Sequence, residues 1–111
     1  MFGVKNWNIE NITGYKPLTT LYVDFGFAEK FGDYAIRDTY KKMVKEYNIL
    51  DYKELTELVM VLNWKLWEHY ENGNEKLARL YDNLWRESCD YITELLKDDS
   101  EKLSYYYRTT D

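Results

Sequence analysis

The sequence predicts an all-α fold, a small helical bundle with three main helices and a short fourth. Apolar residues recur every three or four positions over three long stretches, at about 33–47, 51–72 and 75–97. Turn-forming residues separate these stretches. Gly32 comes before the first, and the expected ends are Asn48, Asn72-Gly73 and Asp98-Asp99. A chain of 111 residues suits one domain, and it shows neither an internal repeat nor a low-complexity tract.

The stretch from Asp51 to Asn72 is predicted to be the central helix. On a helical wheel, one face carries Leu55, Leu58, Val59, Leu62 and Leu66, and the nearly opposite face carries Met60, Trp64 and Trp67. A helix that is apolar on two faces needs neighbours on both sides, so we expect the other helices to pack around it. Asp51 and Glu54 have the spacing of a capping box that would begin this helix.

The two other long stretches read as amphipathic helices. Asp33 is a candidate N-cap for the helix that runs to about Tyr47. Asn74 is the candidate cap of the helix over 75–97, which has one apolar and one charged side. Because the turn at Asn72-Gly73 is so short, this helix and the central one should be antiparallel neighbours.

Three segments are less regular. Residues 1–17 are expected to form an N-terminal arm that Phe2, Val4 and Trp7 pin to the body. Residues 18–31 fit either a strand, through Leu21, Val23, Phe25 and Phe27, or a helix, through Leu18, Leu21, Tyr22, Phe25 and Ala28. We favour a short helix that ends at Phe31-Gly32. Residues 100–111 form an aromatic tail that docks on the body, either as a helical turn capped by Ser100 or as an extended segment.

Charge and composition exclude several functions. Residues 1–50 carry a net +1 and residues 51–99 a net −6, so the second half would repel phosphate and direct nucleic-acid binding is not expected. The longest apolar run has five residues, and the N-terminus lacks the pattern of a signal peptide. The single cysteine, Cys89, cannot form an internal disulfide. A cytoplasmic protein that makes no membrane contact is the resulting expectation.

The sequence offers little for catalysis. His69 is the only histidine, and a zinc site that used it with Cys89 would still lack ligands. The best acid–base candidate is the group Glu68, His69, Glu71 and Glu75, but His69 falls in the last turn of its helix, where the dipole alone accounts for an imidazolium. The five glycines are too scattered for a phosphate loop. We therefore predict that the protein is not an enzyme and uses neither a metal nor a cofactor.

The high aromatic content, 18% of the residues, suggests three roles for the central helix. Its rings could simply be core. Alternatively, the Met60, Trp64 and Trp67 face, rimmed by Glu57, Glu68 and Glu71, could stay open and bind a protein partner or a second copy. A third possibility is a pocket for a planar or cationic small ligand. The residues proposed to line it are Trp64, Trp67, Tyr70, Tyr81 and Trp85.

The stretches L-T-E-L-V-M-V-L-N-W-K-L-W at 55–67 and Y-Y-R-T-T-D at 106–111 resemble small uncharacterised proteins of phages and mobile elements of gut bacteria. The resemblance implies an accessory role, such as inhibition of a host protein, and assigns no functional residue. An acidic helical surface could serve such an inhibitor by imitating phosphate charge. The candidate residues are Glu57, Glu68, Glu71, Asp82, Glu87 and Asp90. The leading prediction is thus a non-catalytic protein-binding module, and the alternative is a sponge for a nucleotide or metabolite.

Overall fold

The structure is a computed structural model that describes the backbone of residues 16–110 and the side chains of residues 20–110. It contains five α-helices, and a short 3-10 turn at Ile49–Asp51 precedes the third. The helices are α1 Lys16–Glu29, α2 Asp33–Glu46, α3 Tyr52–Glu71, α4 Glu75–Leu96 and α5 Ser100–Thr110. Residues 16–110 include no strand, so the all-α prediction is confirmed. None of these helices is both long and apolar enough to cross a membrane.

The ambiguous segment that follows the predicted arm is helical. Helix α1 begins at Lys16, which places Pro17 in the first turn, where a missing N–H costs nothing. The expected anchors Phe2, Val4 and Trp7 lie outside the described residues. Gly32 separates α1 from α2 with a φ of 111°, a value that favours glycine. Gly32 also occupies the N-cap position of α2, so the expectation that Asp33 caps this helix is wrong by one residue.

Helix α3 starts where it was predicted, with Asp51 at the N-cap position, but the capping bonds differ from the prediction. Asp51 makes no side-chain capping bond to α3. It belongs instead to a capping box one turn earlier, in which the Asn48 side chain accepts from the Leu50 N–H and the Asp51 carboxylate accepts from the Asn48 N–H. The Asp51–Glu54 box is therefore wrong, because the 3-10 turn uses the Asp51 side chain first.

The connection between α3 and α4 follows the prediction closely. Gly73 has a φ of 79°, as expected for a glycine that ends a helix. The Asn74 side chain accepts a hydrogen bond from the Leu77 N–H at 3.3 Å and so caps α4. The two helices pack along each other as a hairpin, and α3 also contacts α1 and α5.

The C-terminal tail is a helix and not an extended segment. The Asp99 carboxylate, not the Ser100 hydroxyl, accepts the capping bond from the Lys102 N–H at 3.1 Å. Helix α5 buries Tyr106 in a cluster with Leu55 and Val59 of α3 and Ile92 and Leu96 of α4. A second and larger cluster joins α1, α2, α3 and α4 and includes Phe25, Ile36, Leu62 and Tyr81. Most of α3 between Leu55 and Leu66 is consequently interior.

Candidate functional site

A polar cluster lies between α1, α3 and α4, and we name it the Lys65 cluster. Its members are Tyr22, Glu29, Lys65, Glu68, His69 and Tyr81. The Lys65 side chain is only 4% exposed, and its Nζ lies 3.1 Å from Glu29 Oε2 and 3.4 Å from Glu68 Oε2. The same nitrogen lies 4.1 Å from the centre of the Tyr22 ring. A nearly buried ammonium group is thus held by two carboxylates and one aromatic face.

Glu29 is the main acceptor of this cluster. Its Oε2 accepts from the Tyr81 hydroxyl at 2.6 Å and lies 3.1 Å from His69 Nε2. Burial opposes ionisation of Glu29, but the bonds from Tyr81, His69 and Lys65 outweigh it and lower the pKa of this carboxyl. Burial and a neighbouring carboxylate raise the pKa of Tyr22, which donates to Glu68, and of Tyr81. Both phenols therefore remain protonated donors.

Helical spacing explains how the cluster forms. Lys65, Glu68 and His69 share one face of α3 because they are three and four residues apart. Tyr22 and Glu29 are two turns apart on α1, and Gly26 lies between them. A β-carbon at Gly26 would lie 3.9 Å from Lys65 Nζ, so the α1 backbone passes close over the ammonium group.

The Lys65 cluster contains only two of the four residues of the proposed acid–base group. Glu68 and His69 belong to it, whereas Glu71 and Glu75 are exposed to solvent.

Sequence reasoning missed Glu29, Tyr22 and Lys65. One signal was available for Lys65, since it falls seven residues after Leu58 on an apolar face of the helix. Among the described residues, no group of His, Cys, Asp and Glu side chains could hold a metal ion.

The predicted partner face of α3 is largely closed. Met60 is 2% exposed and Glu57 is 6% exposed, so both lie in the interior and not on an open surface. Trp64 is half-buried and meets the Tyr22 ring edge-on at 6.0 Å, and Glu68 is held by Lys65. Binding of a partner through Trp64, Trp67 and Glu71 stays a prediction.

The five rings of the predicted ligand pocket are also separated. Tyr81 is fully buried beside Phe25, at 5.9 Å between ring centres, and Trp85 packs against both core clusters. Trp67 and Tyr70 alone of the five line a surface groove of about 450 Å³ between α3 and α4, where their rings meet at 5.3 Å. The remaining lining residues are Leu66, Glu75, Ala78, Arg79, Asp82 and Arg86. We name this hollow the Trp67 groove.

The residues proposed to imitate phosphate do not form an open acidic field. Glu57 is buried, Glu68 is paired with Lys65, and Asp82 accepts from Arg86 Nε through both oxygens at 3.1 Å. Burial and the nearby Glu54 raise the pKa of Glu57 to about 7. Only Glu71, Glu87 and Asp90 of the six are exposed, so little of the proposed negative surface is available in this conformation.

An exposed apolar strip, which sequence reasoning missed, runs along α1, the turn after it and the first turn of α2. It consists of Val23, Phe27, Phe31 and Tyr34, which are 45%, 57%, 67% and 70% exposed. Val23, Phe27 and Phe31 are each four residues apart, so they share one side of the helix and its continuation. The opposite side of α1 buries Leu21, Phe25 and Ala28. We name these four exposed residues the α1 strip.

A shallow hollow of about 290 Å³ lies beside the strip, and its lining residues are Tyr22, Val23, Gly26, Phe27 and Lys30. Its low point is Gly26, which has no side chain. Lys30 Nζ lies 5.1 Å from the centre of the Phe27 ring. The hollow therefore combines apolar walls with one cation at its rim, directly above the Lys65 cluster.

The signal for the α1 strip was present in the sequence as the apparent strand alternation of residues 21–27. Leu21 and Phe25 are buried, and Val23 and Phe27 are exposed, so the alternation arises from a helix with two apolar sides. Comparison with known proteins adds no further constraint on this site, since no family model, curated protein or solved structure matches the chain.

Proposed function

We propose that the protein is a non-catalytic binding module whose protein partner docks on the α1 strip. The observation that supports this proposal is the exposure of Val23, Phe27, Phe31 and Tyr34 within twelve residues of one another. Large contiguous apolar patches are uncommon on monomeric proteins and mark interaction sites, and aromatic residues are enriched in the buried centres of interfaces.

The contacts of the Lys65 cluster support a structural role for it beneath this surface. Its ammonium and carboxylate groups already contact one another, and Lys65 is almost out of reach of solvent. A cluster of this kind fixes the position of α1, which keeps the strip on the outside of the molecule. A partner then meets a preformed surface and pays little ordering entropy.

The test compares wild type with Phe27→Ser and with Tyr107→Ser as a matched control. Tyr107 is 54% exposed on α5, close to the 57% of Phe27. A partner retained from extracts of the source organism should be lost with Phe27→Ser and kept with Tyr107→Ser, and the same order should hold with the purified partner. Equal binding by all three proteins contradicts the proposal, as does a Phe27→Ser protein that no longer folds.

The Trp67 groove supports a second candidate function, the sequestration of a small planar ligand. Its volume of about 450 Å³ lies within the usual range of small-molecule sites, and it has aromatic and guanidinium groups on its walls. A nucleotide such as ADP should then raise the melting temperature of wild type and of Phe27→Ser but not of Trp67→Ala. Melting curves that ADP and similar planar metabolites leave unchanged would remove this candidate.

Inhibition of a host protein, as an accessory of a phage or mobile element, is the biological role that fits this binding module. It is supported by the resemblance of residues 55–67 and 106–111. The partner would be a host protein captured through the α1 strip. Identification of the partner by the capture experiment above decides this role.

A further inference from the structure

We infer that the partner segment is an acidic amphipathic α-helix, which inserts a large apolar side chain into the hollow over Gly26. This inference rests on the proposed function and names the partner of the same site. It depends on the shape of the hollow and on the positive charge of Lys30 at its rim.

The shape of the hollow matches a helix. Tyr22, Gly26 and Lys30 form one row of side chains at intervals of four, and Val23, Phe27 and Phe31 form the adjacent row. A second helix packs by laying its own row of side chains into the groove between two such rows. Because Gly26 contributes no side chain, the groove is open there to one large residue of the partner.

The backbone of α1 also favours a helical partner segment over a β-strand. A partner strand recognises unpaired N–H and C=O groups at a sheet edge, and residues 16–110 contain no sheet. Around Gly26 the α1 backbone is helical, so its polar groups are already used within the helix. Side-chain packing is the remaining way to bind this surface.

The charge at the hollow favours an acidic partner. Among the residues that line the hollow, Lys30 is the one that carries a charge, and it is exposed and forms no ion pair with other residues of the described chain. Glu or Asp beside the apolar face of a partner would be attracted to its ammonium group. The other unpaired charges on the described side chains of α1 and α2 balance, since Arg37, Lys41 and Lys45 are matched by an equal number of carboxylates on Asp24, Asp33 and Glu46.

A second copy of the chain fits less well. It would bring a second Lys30 to the contact, and like charges across an interface are unfavourable. Self-association through Phe27 is nevertheless a measurable outcome, and it would overturn the acidic partner.

The first experiment uses two synthetic helical peptides of about 18 residues, a length near the limit for isolated helices in water. One has Leu on one face and Glu on the other, and its matched control has Lys in place of Glu. In NMR titrations of the full chain, the Glu peptide should shift the amide signals of Val23, Gly26, Phe27 and Lys30. The Lys peptide should bind at least about tenfold more weakly.

Two variants sharpen the experiment. Gly26→Leu fills the hollow with a side chain of α1 itself. It should weaken binding of the Glu peptide at least about tenfold, since overpacking is unfavourable. The β-carbon has ordinary contact distance to Lys65 and leucine favours helices more than glycine, so melting curves should confirm that this variant folds. Lys30→Glu should reduce the preference for the Glu peptide over the Lys peptide. If Gly26→Leu does not fold, Lys30→Glu alone decides the charge requirement.

The outcomes separate the two proposals. If Phe27→Ser abolishes peptide binding but Gly26→Leu and Lys30→Glu do not weaken it, the acidic helix is wrong and the α1 strip remains the docking surface. If Phe27→Ser also leaves binding unchanged, both proposals are wrong. Sedimentation of the wild type without peptide completes the test, because a dimer that Phe27→Ser dissociates identifies a second copy as the occupant.

Discussion

Glu57 is a carboxylic acid in a site that disfavours its charge. Its Oε2 is buried and has no hydrogen-bond partner among the described residues. Burial is the larger cause and Glu54 the smaller one that raises its pKa to about 7 from the ordinary 4.5. The folded protein therefore binds a proton between these pH values that the unfolded chain has released. Since the folded state holds the extra proton, the contribution of Glu57 to stability falls as pH rises from about 4.5 to about 7.

We expect Glu57→Gln to stabilise the protein at pH 8 and to have little effect at pH 4.5. Glutamine keeps the shape but removes the buried charge, and the gain at pH 8 should be roughly 1–3 kcal/mol. Urea unfolding at the two pH values measures it. The control is Glu71→Gln, an exposed position on the same helix, which should change neither value. A gain of equal size at both pH values would show that ionisation is not the cause.

Lys65 presents the opposite case, a buried charge with two partners. Lys65→Met would leave Glu29 and Glu68 without their shared cation, and we expect a loss of about 3 kcal/mol in the free energy of unfolding. Lys76→Met, at an exposed position of α4, should cost less than about 0.5 kcal/mol. Denaturant unfolding at neutral pH gives both values.

The pairing itself is tested by a double variant. If Lys65 and Glu29 stabilise each other, the loss in Lys65→Met with Glu29→Gln should be smaller than the sum of the two single losses. Strict additivity would show that Lys65 does not stabilise the protein through its pairing with Glu29, and would leave Glu68 and the packing of the alkyl chain as its contributions.

At the scale of elements, the apolar pattern of α1 correctly predicted a helix but did not show that the helix has a second, exposed apolar side. In the helical set, Leu21, Phe25 and Ala28 are buried and Tyr22 is half-buried, whereas the side chain of Leu18 lies outside the described residues. The segment is a helix, as we favoured. The strand-like set shares Leu21 and Phe25 with it, and its other members, Val23 and Phe27, form an exposed apolar side. A sequence of this type cannot show which of two apolar sides of a helix is covered, because that depends on where the neighbouring helices lie.

We expect neighbouring phenylalanines of α1 to respond very differently to truncation. Phe25 is fully buried, and Phe25→Ala should cost about 3–5 kcal/mol of stability. Phe27 is 57% exposed, and Phe27→Ala should change stability by less than about 1 kcal/mol. Thermal and urea unfolding measure the two effects. Similar losses at both positions would mean that the α1 strip is covered in solution.

The helix ends show a similar limit. Asn74 was identified correctly as the cap of α4, because the capping bond is local and few nearby residues could accept it instead. Gly32 is the N-cap of α2, one residue before Asp33, and Asp99 accepts the capping bond that was expected for Ser100. Asp51 is the N-cap residue of α3, but its side chain accepts from the Asn48 N–H of the preceding turn. Helix ends commonly differ by one or two residues between assignments.

For the whole molecule, the C-terminal helix is an integral part of the fold. Tyr106 of α5 contacts the cluster of Leu55, Val59, Ile92 and Leu96, and Tyr106 is 5% exposed. Truncation of this ring should therefore weaken the packing of α3 and α4 as well as that of α5. The adjacent Tyr107 is 54% exposed and provides a control.

We expect Tyr106→Ala to cost about 3 kcal/mol of stability and Tyr107→Ala less than about 1 kcal/mol. Far-UV circular dichroism and tryptophan fluorescence should follow the unfolding of Tyr106→Ala with one shared midpoint, since α5 shares a buried cluster with α3 and α4. Two separate midpoints would indicate that α5 detaches first and that the remaining four helices are stable alone.

The sequence by itself determined the all-α class, the main helices to within a few residues, and the hairpin that Asn72, Gly73 and Asn74 form. These features are encoded by residues close along the chain, through apolar periodicity and local capping bonds. The Lys65 cluster and the α1 strip were decided only by the tertiary structure. Glu29 and Tyr81 meet across 52 positions, and Tyr22 and Glu68 across 46, so no local pattern could pair them. Exposure of Phe27 and burial of Met60 likewise depend on where distant helices pack.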